Sequence, residues 1–229
     1  QIAPNSMVNF SSSALTNGSF ESDLAGWTAT GNHEMKSAAP YTTTDGSKIL
    51  AFNTGQSTPN GTVSQTFATT VGQPYQLNFD VGAFGYSTAQ QRMLVTVQGS
   101  SQLVSDTTTV TCPSNGLTTW VPKSYNFVAD SATTTITFTD TSTTSNSLDL
   151  VLDNVRVGAQ ATRYLAIASL PVSGAAMTIS PADTSGSANG STGLIRTYNN
   201  GTAVTVTAPA SLGSDSFLRW QKNGFDIPG

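Results

Sequence analysis

Acids and amides that could gather a metal stand in two short segments of this chain. The first is Leu15-Thr16-Asn17-Gly18-Ser19-Phe20-Glu21, followed by Gly26-Trp27. The second is Leu148-Asp149-Leu150-Val151-Leu152-Asp153-Asn154-Val155-Arg156-Val157. In the second, Asp153 sits in a nearly unbroken apolar strand, where an ionised carboxylate is expensive unless something positive meets it. Calcium, which collects carboxylate, carbonyl and water oxygens, is a natural partner. If the two segments meet, they close one module with a metal between its beginning and its end.

A second set of residues could hold a ligand. Gly82-Ala83-Phe84-Gly85-Tyr86-Ser87-Thr88-Ala89-Gln90-Gln91-Arg92 sets two aromatics in a Gly-containing connection just before two glutamines and an arginine. Aromatic faces meet the C–H surfaces of sugars, and amides, carboxylates and guanidinium groups take the hydroxyls. Pro40-Tyr41 offers another ring, and His33 and Lys36 on the preceding strand can flank either surface. The expected ligand residues are therefore Tyr41, Phe84, Tyr86, Gln91, Arg92 and His33.

Catalysis has less to stand on. His33 is the only histidine, so a Ser-His-Asp triad must use it, and no nucleophile elbow surrounds it. Glu34 and Asp80 are the imaginable acid pair for glycoside hydrolysis, but nothing in the sequence joins them. Cys112 is the single cysteine, which excludes an intrachain disulfide and a cysteine-rich zinc site. Its place in Val110-Thr111-Cys112-Pro113 reads as a small buried hydrophobe. The expectation is a chain that is not an enzyme.

The elements that must position these residues are strands. Period-two alternation dominates and helical periodicity is nearly absent. Strands are predicted at Lys48–Asn53, Thr62–Thr69, Tyr75–Val81, Met93–Gln98, Gln102–Thr111, Val121–Val128, Thr133–Thr139 and Leu148–Val157. Asp45-Gly46, Asn60-Gly61, Gly72-Gln73-Pro74 and Gly99-Ser100 supply turns between them. About nine short strands at this spacing suit an all-β jelly-roll sandwich, with a barrel as second choice. Phe67, Phe79, Phe127 and Phe138 alternate into the core, and Trp27 and Trp120 read as core or edge packing.

After Val157 the texture changes. Gly158–Thr162 reads as a polar linker, and Arg163–Ala168 opens a second alternating block that continues through Met177–Ser180, Gly193–Tyr198, Ala203–Ala208 and Phe217–Asn223. Asn199-Asn200-Gly201 and Asn223-Gly224 are hairpin turns, and Ser185–Thr192 is a mobile Gly/Ser/Asn loop. Phe217 and Trp220 are expected in a small second core. The expected domains are 1–158 and 159–229.

Composition bounds the partners. The chain has 229 residues, of which 37% are hydrophobic and 10% charged, with a formal net charge of −4. Charged residues usually make up about a quarter of a domain. Here hydroxyl and amide residues do the solvating, as in secreted β proteins. The acid balance excludes nucleic acid, which needs basic patches. No apolar stretch approaches the length of a membrane helix, about eighteen residues. Gln1-Ile2-Ala3-Pro4 reads as a trimmed start, and the stop at Ile227-Pro228-Gly229 as a piece of a longer protein. Asn-x-Ser/Thr patterns at Asn9, Asn17, Asn60, Asn189 and Asn200 are mostly Asn-Gly and read as turn chemistry.

Taken in order, Asn17-Gly18-Ser19-Phe20-Glu21 with Gly26-Trp27, Asp45-Gly46-Ser47-Lys48, Val63-Ser64-Gln65-Thr66-Phe67 with Tyr75-Gln76-Leu77-Asn78-Phe79, and Leu152-Asp153-Asn154-Val155 resemble a known family. Residues 13–158 are similar to the galactose-binding-like jelly rolls, including carbohydrate-binding modules of the family 4/9/22 type. That resemblance implies one structural calcium near the meeting chain ends. It would be held by Glu21 and Asp153, with Ser19 and Lys48 contributing backbone carbonyls. Many relatives carry two acids where this chain has Asp153-Asn154. Residues 163–229, with Gly201–Pro209 and Phe217-Leu218-Arg219-Trp220, resemble β repeat domains of large bacterial surface proteins, which implies a spacer. Together the resemblances imply a secreted or cell-surface bacterial polysaccharide binder, monomeric and tethered to further domains. A sugar-free structural or adhesive spacer is the alternative, as is an ancillary fragment of a polysaccharide-degrading enzyme.

Overall fold

The computed structural model describes residues 13–200, 202–222 and 224–227. Gln1–Pro4, Asn9, Gly201, Asn223, Pro228 and Gly229, named above, lie outside the described residues. The chain divides into two compact units between Gln160 and Ala161.

The first unit is a sandwich of two antiparallel sheets. One contains β1 (Thr28–Thr30), β4 (Thr62–Ala68), β9 (Thr133–Asp140), β6 (Gln90–Gln98) and β7 (Gln102–Thr111), in the order β1-β4-β9-β6-β7. The other contains β2 (His33–Lys36), β3 (Ile49–Phe52), β10 (Leu148–Ala159), β5 (Pro74–Gly85) and β8 (Thr118–Val128), in the order β2-β3-β10-β5-β8. This is the jelly-roll arrangement expected from the spacing of short strands and turns.

Alternation explains the first sheet. Val63, Gln65 and Phe67 on β4 point inward beside Ile136 and Phe138 on β9, while Ser64 and Thr66 point outward. The second sheet breaks that rule. β3 is buried at every position, and β10 is buried without interruption from Leu150 to Asp153. Continuous burial requires cover on both faces. The core supplies one cover, and the segment between β2 and β3 supplies the other.

The ends of the unit do meet. Val155 N–H donates to Gly18 O at 2.8 Å and Ala14 N–H to Val157 O at 2.7 Å, so the opening segment lies along the end of β10. A Cβ on Gly18 would stand 1.8 Å from Val155 O, which leaves glycine as the residue that fits. Beside it, Phe20 is fully buried and its ring lies 5.3 Å from Trp27, whose indole N–H donates to Asn17 O. Burying a ring of this size contributes about 1.5–3 kcal/mol. Asn17 itself has φ 51°, and its side-chain amide donates to Asp23 O and Ala25 O.

The second unit is a set of small sheets. β11 (Thr162–Ile167) pairs with β14 (Leu194–Asn199), and β12 (Ala176–Ser180) lies between β13 (Gly190–Ser191) and β15 (Thr205–Thr207). β16 (Ser211–Leu212) pairs with β17 (Asp215–Ser216), and β18 (Trp220–Lys222) with β19 (Phe225–Ile227). Its core is Ile167, Ala175, Met177, Ile179 and Tyr198, with Trp220 packed against it. Phe217 corrects the sequence reading. It is 45% exposed and leans on Trp220 at 5.3 Å rather than entering the core. The predicted linker Gly158–Thr162 is also corrected, since β10 runs through Ala159 and β11 begins at Thr162. Part of the predicted loop Ser185–Thr192 forms β13.

Candidate functional site

The segment Ser37–Ser47 crosses the outer face of the β2-β3-β10-β5-β8 sheet as a strap. Ile49, Ala51 and Val151 point away from the core yet are fully buried, because Tyr41 from the strap and Trp120 from β8 pack over them. Gly82 makes room for this layer. A Cβ there would stand 2.7 Å from Trp120 Cε3 and 2.8 Å from Val151 Cγ2. The indole N–H of Trp120 donates to Thr42 Oγ1 at 3.3 Å, and Thr42 N–H donates to Thr118 Oγ1 at 3.2 Å.

The Tyr41 hydroxyl donates a short hydrogen bond to Asp149 Oδ2. Burial pushes the Asp149 carboxyl above its ordinary value, against the opposing pull of that hydroxyl and of Lys36. Burial first, and Asp149 second, push the Tyr41 phenol upward, so it stays a donor. Lys36 Nζ stands 5.4 Å from the Tyr41 ring centre and 2.7 Å from Glu34 Oε2. A pocket lined by Lys36, Tyr41, Thr42, Thr43 and Ser47 opens along this part of the strap.

Three rings run outward from here. Tyr41 and Phe84 lie 4.4 Å apart between ring centres, and Phe84 meets Tyr86 edge-on at 5.7 Å. Phe84 is buried, while Tyr86 is 64% exposed. The Tyr86 ring is backed by Gly116, where a Cβ would stand 2.5 Å from Tyr86 Cε1. Its backbone is pinned on both sides, donating to Ser147 O at 2.9 Å and accepting from Ser114 Oγ at 2.8 Å. An exposed ring on a fixed backbone, with carboxylates and an ammonium on the same sheet face, can stack on an apolar face and bind hydroxyls.

The strap's other end is tied by acids. Asp153 Oδ2 accepts from Thr44 N–H at 2.7 Å, Thr44 Oγ1 at 3.1 Å and Asp45 N–H at 3.0 Å, and Oδ1 accepts from Asn154 N–H at 2.7 Å. Glu21 Oε1 accepts from Ser47 and Lys48 N–H, both at 2.8 Å, and Oε2 from Ser47 Oγ at 2.8 Å. The Ser47 amide, with its hydroxyl and the Lys48 amide behind it, holds the Glu21 carboxyl below its usual range. Burial raises that of Asp153 despite the backbone amides. Ser19 is half-buried in the turn before Glu21, and Lys48 Nζ pairs with Asp23 at 2.7 Å.

Ser19, Glu21, Lys48 and Asp153 were expected to hold calcium, so their donor set bears on that reading. Every carboxylate oxygen of Glu21 and Asp153 already faces an N–H or O–H hydrogen. Glu21 Oε1 and Asp153 Oδ2 are filled by those donors, whereas Glu21 Oε2 and Asp153 Oδ1 accept one each and keep a lone pair. The donor set forms a hydrogen-bonded clasp that ties the strap to Glu21 and Asp153.

Other expected ligand residues are placed elsewhere. Gln91 is fully buried between the sheets, accepting from Asn53 Nδ2 at 3.0 Å and donating to Thr144 O at 3.1 Å, which corrects its assignment to a ligand surface. Arg92 is exposed but extends from β6, in the opposite sheet from Tyr86 and Tyr41. His33 pairs with core-facing Phe52, so it shares the inward face with Met35 and not the outward face of Glu34 and Lys36. Glu34 and Asp80 are separated by β3 and β10, about 14 Å at roughly 4.8 Å per strand, so they form no catalytic pair. Asp80 instead accepts from Asn154 Nδ2 at 3.0 Å.

Glu34, Asp149 and Trp120 belong to the face that the sequence reading left to other roles. For Asp149 a signal was present. It stands four residues before Asp153 in the same apolar strand, so both acids share the outward side with Val151.

Residues 6–158 match the model of a protein family described as protein of unknown function (DUF642). The chain belongs to this family. No curated protein matches the chain. Among solved structures, TmCBM61 in complex with β-1,4-galactotriose has a TM-score of 0.51 at 14% identity, covering 66% of this chain and 100% of that one. The C-terminal family 22 carbohydrate-binding module of Clostridium thermocellum Xyn10B has a TM-score of 0.45 at 17% identity, covering 62% of this chain and 90% of that one. At this identity the likeness to TmCBM61 concerns the fold.

Proposed function

We propose that the DUF642 unit is a non-catalytic carbohydrate-binding module whose ligand stacks on Tyr86 and is hydrogen-bonded by groups of the strapped face. The observation that carries this reading is the pinned, 64% exposed Tyr86 ring at the head of the Tyr41–Phe84–Tyr86 row. Asp149, Glu34 and Lys36 supply acceptors and donors on the same side of the sheet. The shared fold with TmCBM61, whose structure holds β-1,4-galactotriose, supports the substrate class. Aromatic stacking with a few polar partners gives modest affinity, which several tethered copies would raise.

The setting we propose is outside the cell, where polysaccharide is met. No helix among the described residues is long and apolar enough to cross a membrane. The unit from Ala161 onward acts as a spacer in this reading. Its surface carries Tyr164, Leu170 and Leu218, all strongly exposed, so a contact with a neighbouring domain is the second role it favours.

Affinity electrophoresis over galactan, xylan, β-glucan and mannan, with wild type and Tyr86→Ala, tests the proposal. Retardation of wild type by at least one neutral glycan, lost in Tyr86→Ala, is expected. No retardation by any glycan would leave the spacer reading in its place.

A further inference from the structure

A second cluster of polar side chains lies inside the sandwich, away from the strap. Asn53 follows β3 in one sheet, and Gln91 on β6 and Asp140 on β9 face it from the other. Asn53 is fully buried and Asp140 is 3% exposed. Asn53 Nδ2 donates to Gln91 Oε1 at 3.0 Å, and Gln91 Nε2 donates to Thr144 O at 3.1 Å. Asp140 Oδ1 accepts from Ser142 N–H at 2.9 Å, and the Asn53 amide approaches the same carboxyl. Two oxygens remain without a donor: Asn53 Oδ1 and Asp140 Oδ2.

The contrast with Asp153 is one of compensation. Asp153 is equally buried, yet four N–H and O–H groups meet its charge. Asp140 has one backbone donor of good geometry and, among the described residues, no lysine or arginine paired with it. Burial drives its carboxyl upward, with Ser142 and Asn53 opposing. A buried acceptor left alone is costly, and an unpaired buried charge costs more. Water would satisfy these oxygens but bring no charge. A cation would also meet the charge of the carboxylate.

We propose that Asn53 Oδ1 and Asp140 Oδ2 are ligands of a buried cation of calcium's class that bridges the two sheets. Both atoms are hard oxygens, and main-chain carbonyls and water complete the shell in sites of this kind. The ion would tie the end of β3 to the end of β9, a tie independent of the ligand face and of the Glu21/Asp153 clasp.

The test is thermal unfolding of the full chain in excess calcium chloride and in chelator, for wild type, Asp140→Asn and Glu21→Gln. At calcium about a hundredfold above its dissociation constant, wild type is expected to gain about 5–10 °C. That gain is expected to vanish in Asp140→Asn and persist in Glu21→Gln. No calcium effect on wild type, as a water or a protonated Asp140 would give, overturns the proposal. So does a gain lost in Glu21→Gln but kept in Asp140→Asn. Because Asp140→Asn could fail to fold, a wild-type crystal soaked in terbium gives a second reading. An anomalous peak about 2.3–2.6 Å from both oxygens supports the site, and a peak beside Glu21 and Asp153 alone refutes it.

Discussion

On β4 and β9 the side chains that point away from the core are Ser64, Thr66, Thr135 and Thr137, all reached by water. On β3 and β10 the corresponding side chains are Ile49, Ala51 and Val151, none of them reached by water. The same fold therefore has one bare face of hydroxyl ladders, such as Thr66 Oγ1 to Thr135 Oγ1 at 2.7 Å, and one face roofed by a strap. Only the roofed face carries exposed aromatic surface on a fixed backbone with acids beside it. The difference teaches where function resides. A polar strand face needs no partner, whereas a strapped apolar face ending in Tyr86 has invested side chains in presenting a ring.

The sharpest way to break this comparison is to remove a side chain from each face. Phe84→Ala is expected to lower stability by about 3–5 kcal/mol, because Phe84 fills the roofed layer between Tyr41 and Tyr86. Thr66→Ala is expected to stay within about 0.5 kcal/mol. Urea unfolding checks both, and equal losses would dissolve the distinction. Next in size is Tyr86→Ala, expected to weaken glycan binding at least about tenfold while the melting temperature holds, since the ring is mostly in water. A melting temperature that falls with it would make Tyr86 a structural residue.

The strap's two anchors should respond to pH with opposite sign. Asp149 has a folded value raised above 3.8, so its contribution to stability is fully present below that pH and is lost as pH rises through the raised value. Glu21 is lowered from 4.5, so its contribution is present above 4.5 and lost as pH falls through the lowered value. Relative to wild type, Glu21→Gln should therefore flatten the acid limb, and Asp149→Asn should remove a fall in stability on leaving acid. Unfolding curves from pH 2 to 7 (about the range carboxylates cover) decide it, and matching signs would refute the assignment. Smallest of all, Arg92→Ala is expected to leave glycan affinity within about twofold, because Arg92 stands on the opposite sheet. A larger loss would move the site.

The bare face was legible from sequence and the roofed one only in part. Val63-Ser64-Gln65-Thr66-Phe67 writes its inward and outward sides in strict alternation, and the structure follows it. Leu148–Val157 showed as a nearly unbroken apolar strand, but what covers its second face was not in the sequence. The strap has no period to read. It is held by single ties, Tyr41 to Asp149 and Thr42 to Trp120, that join residues far apart in the chain. Gln91 and Arg92 misled for a related reason. They closely follow Tyr86 in sequence, but β6 crosses to the other sheet, so nearness along the chain was not nearness in space. His33 failed by parity, since one residue's step along β2 turns a side chain to the other face. The meeting of Gly18 with Val155 was foreseeable because both flanking segments carried turn and strand signals.

The most direct test of the account is amide chemical-shift mapping of the labelled protein as the glycan that retards it on a gel is added. Shifts confined to Tyr86, Lys36 and the strap between Ser37 and Ser47 are the predicted result. Shifts centred on Arg92 and the outward threonines of β4 and β9, with Tyr86 unmoved, would contradict it.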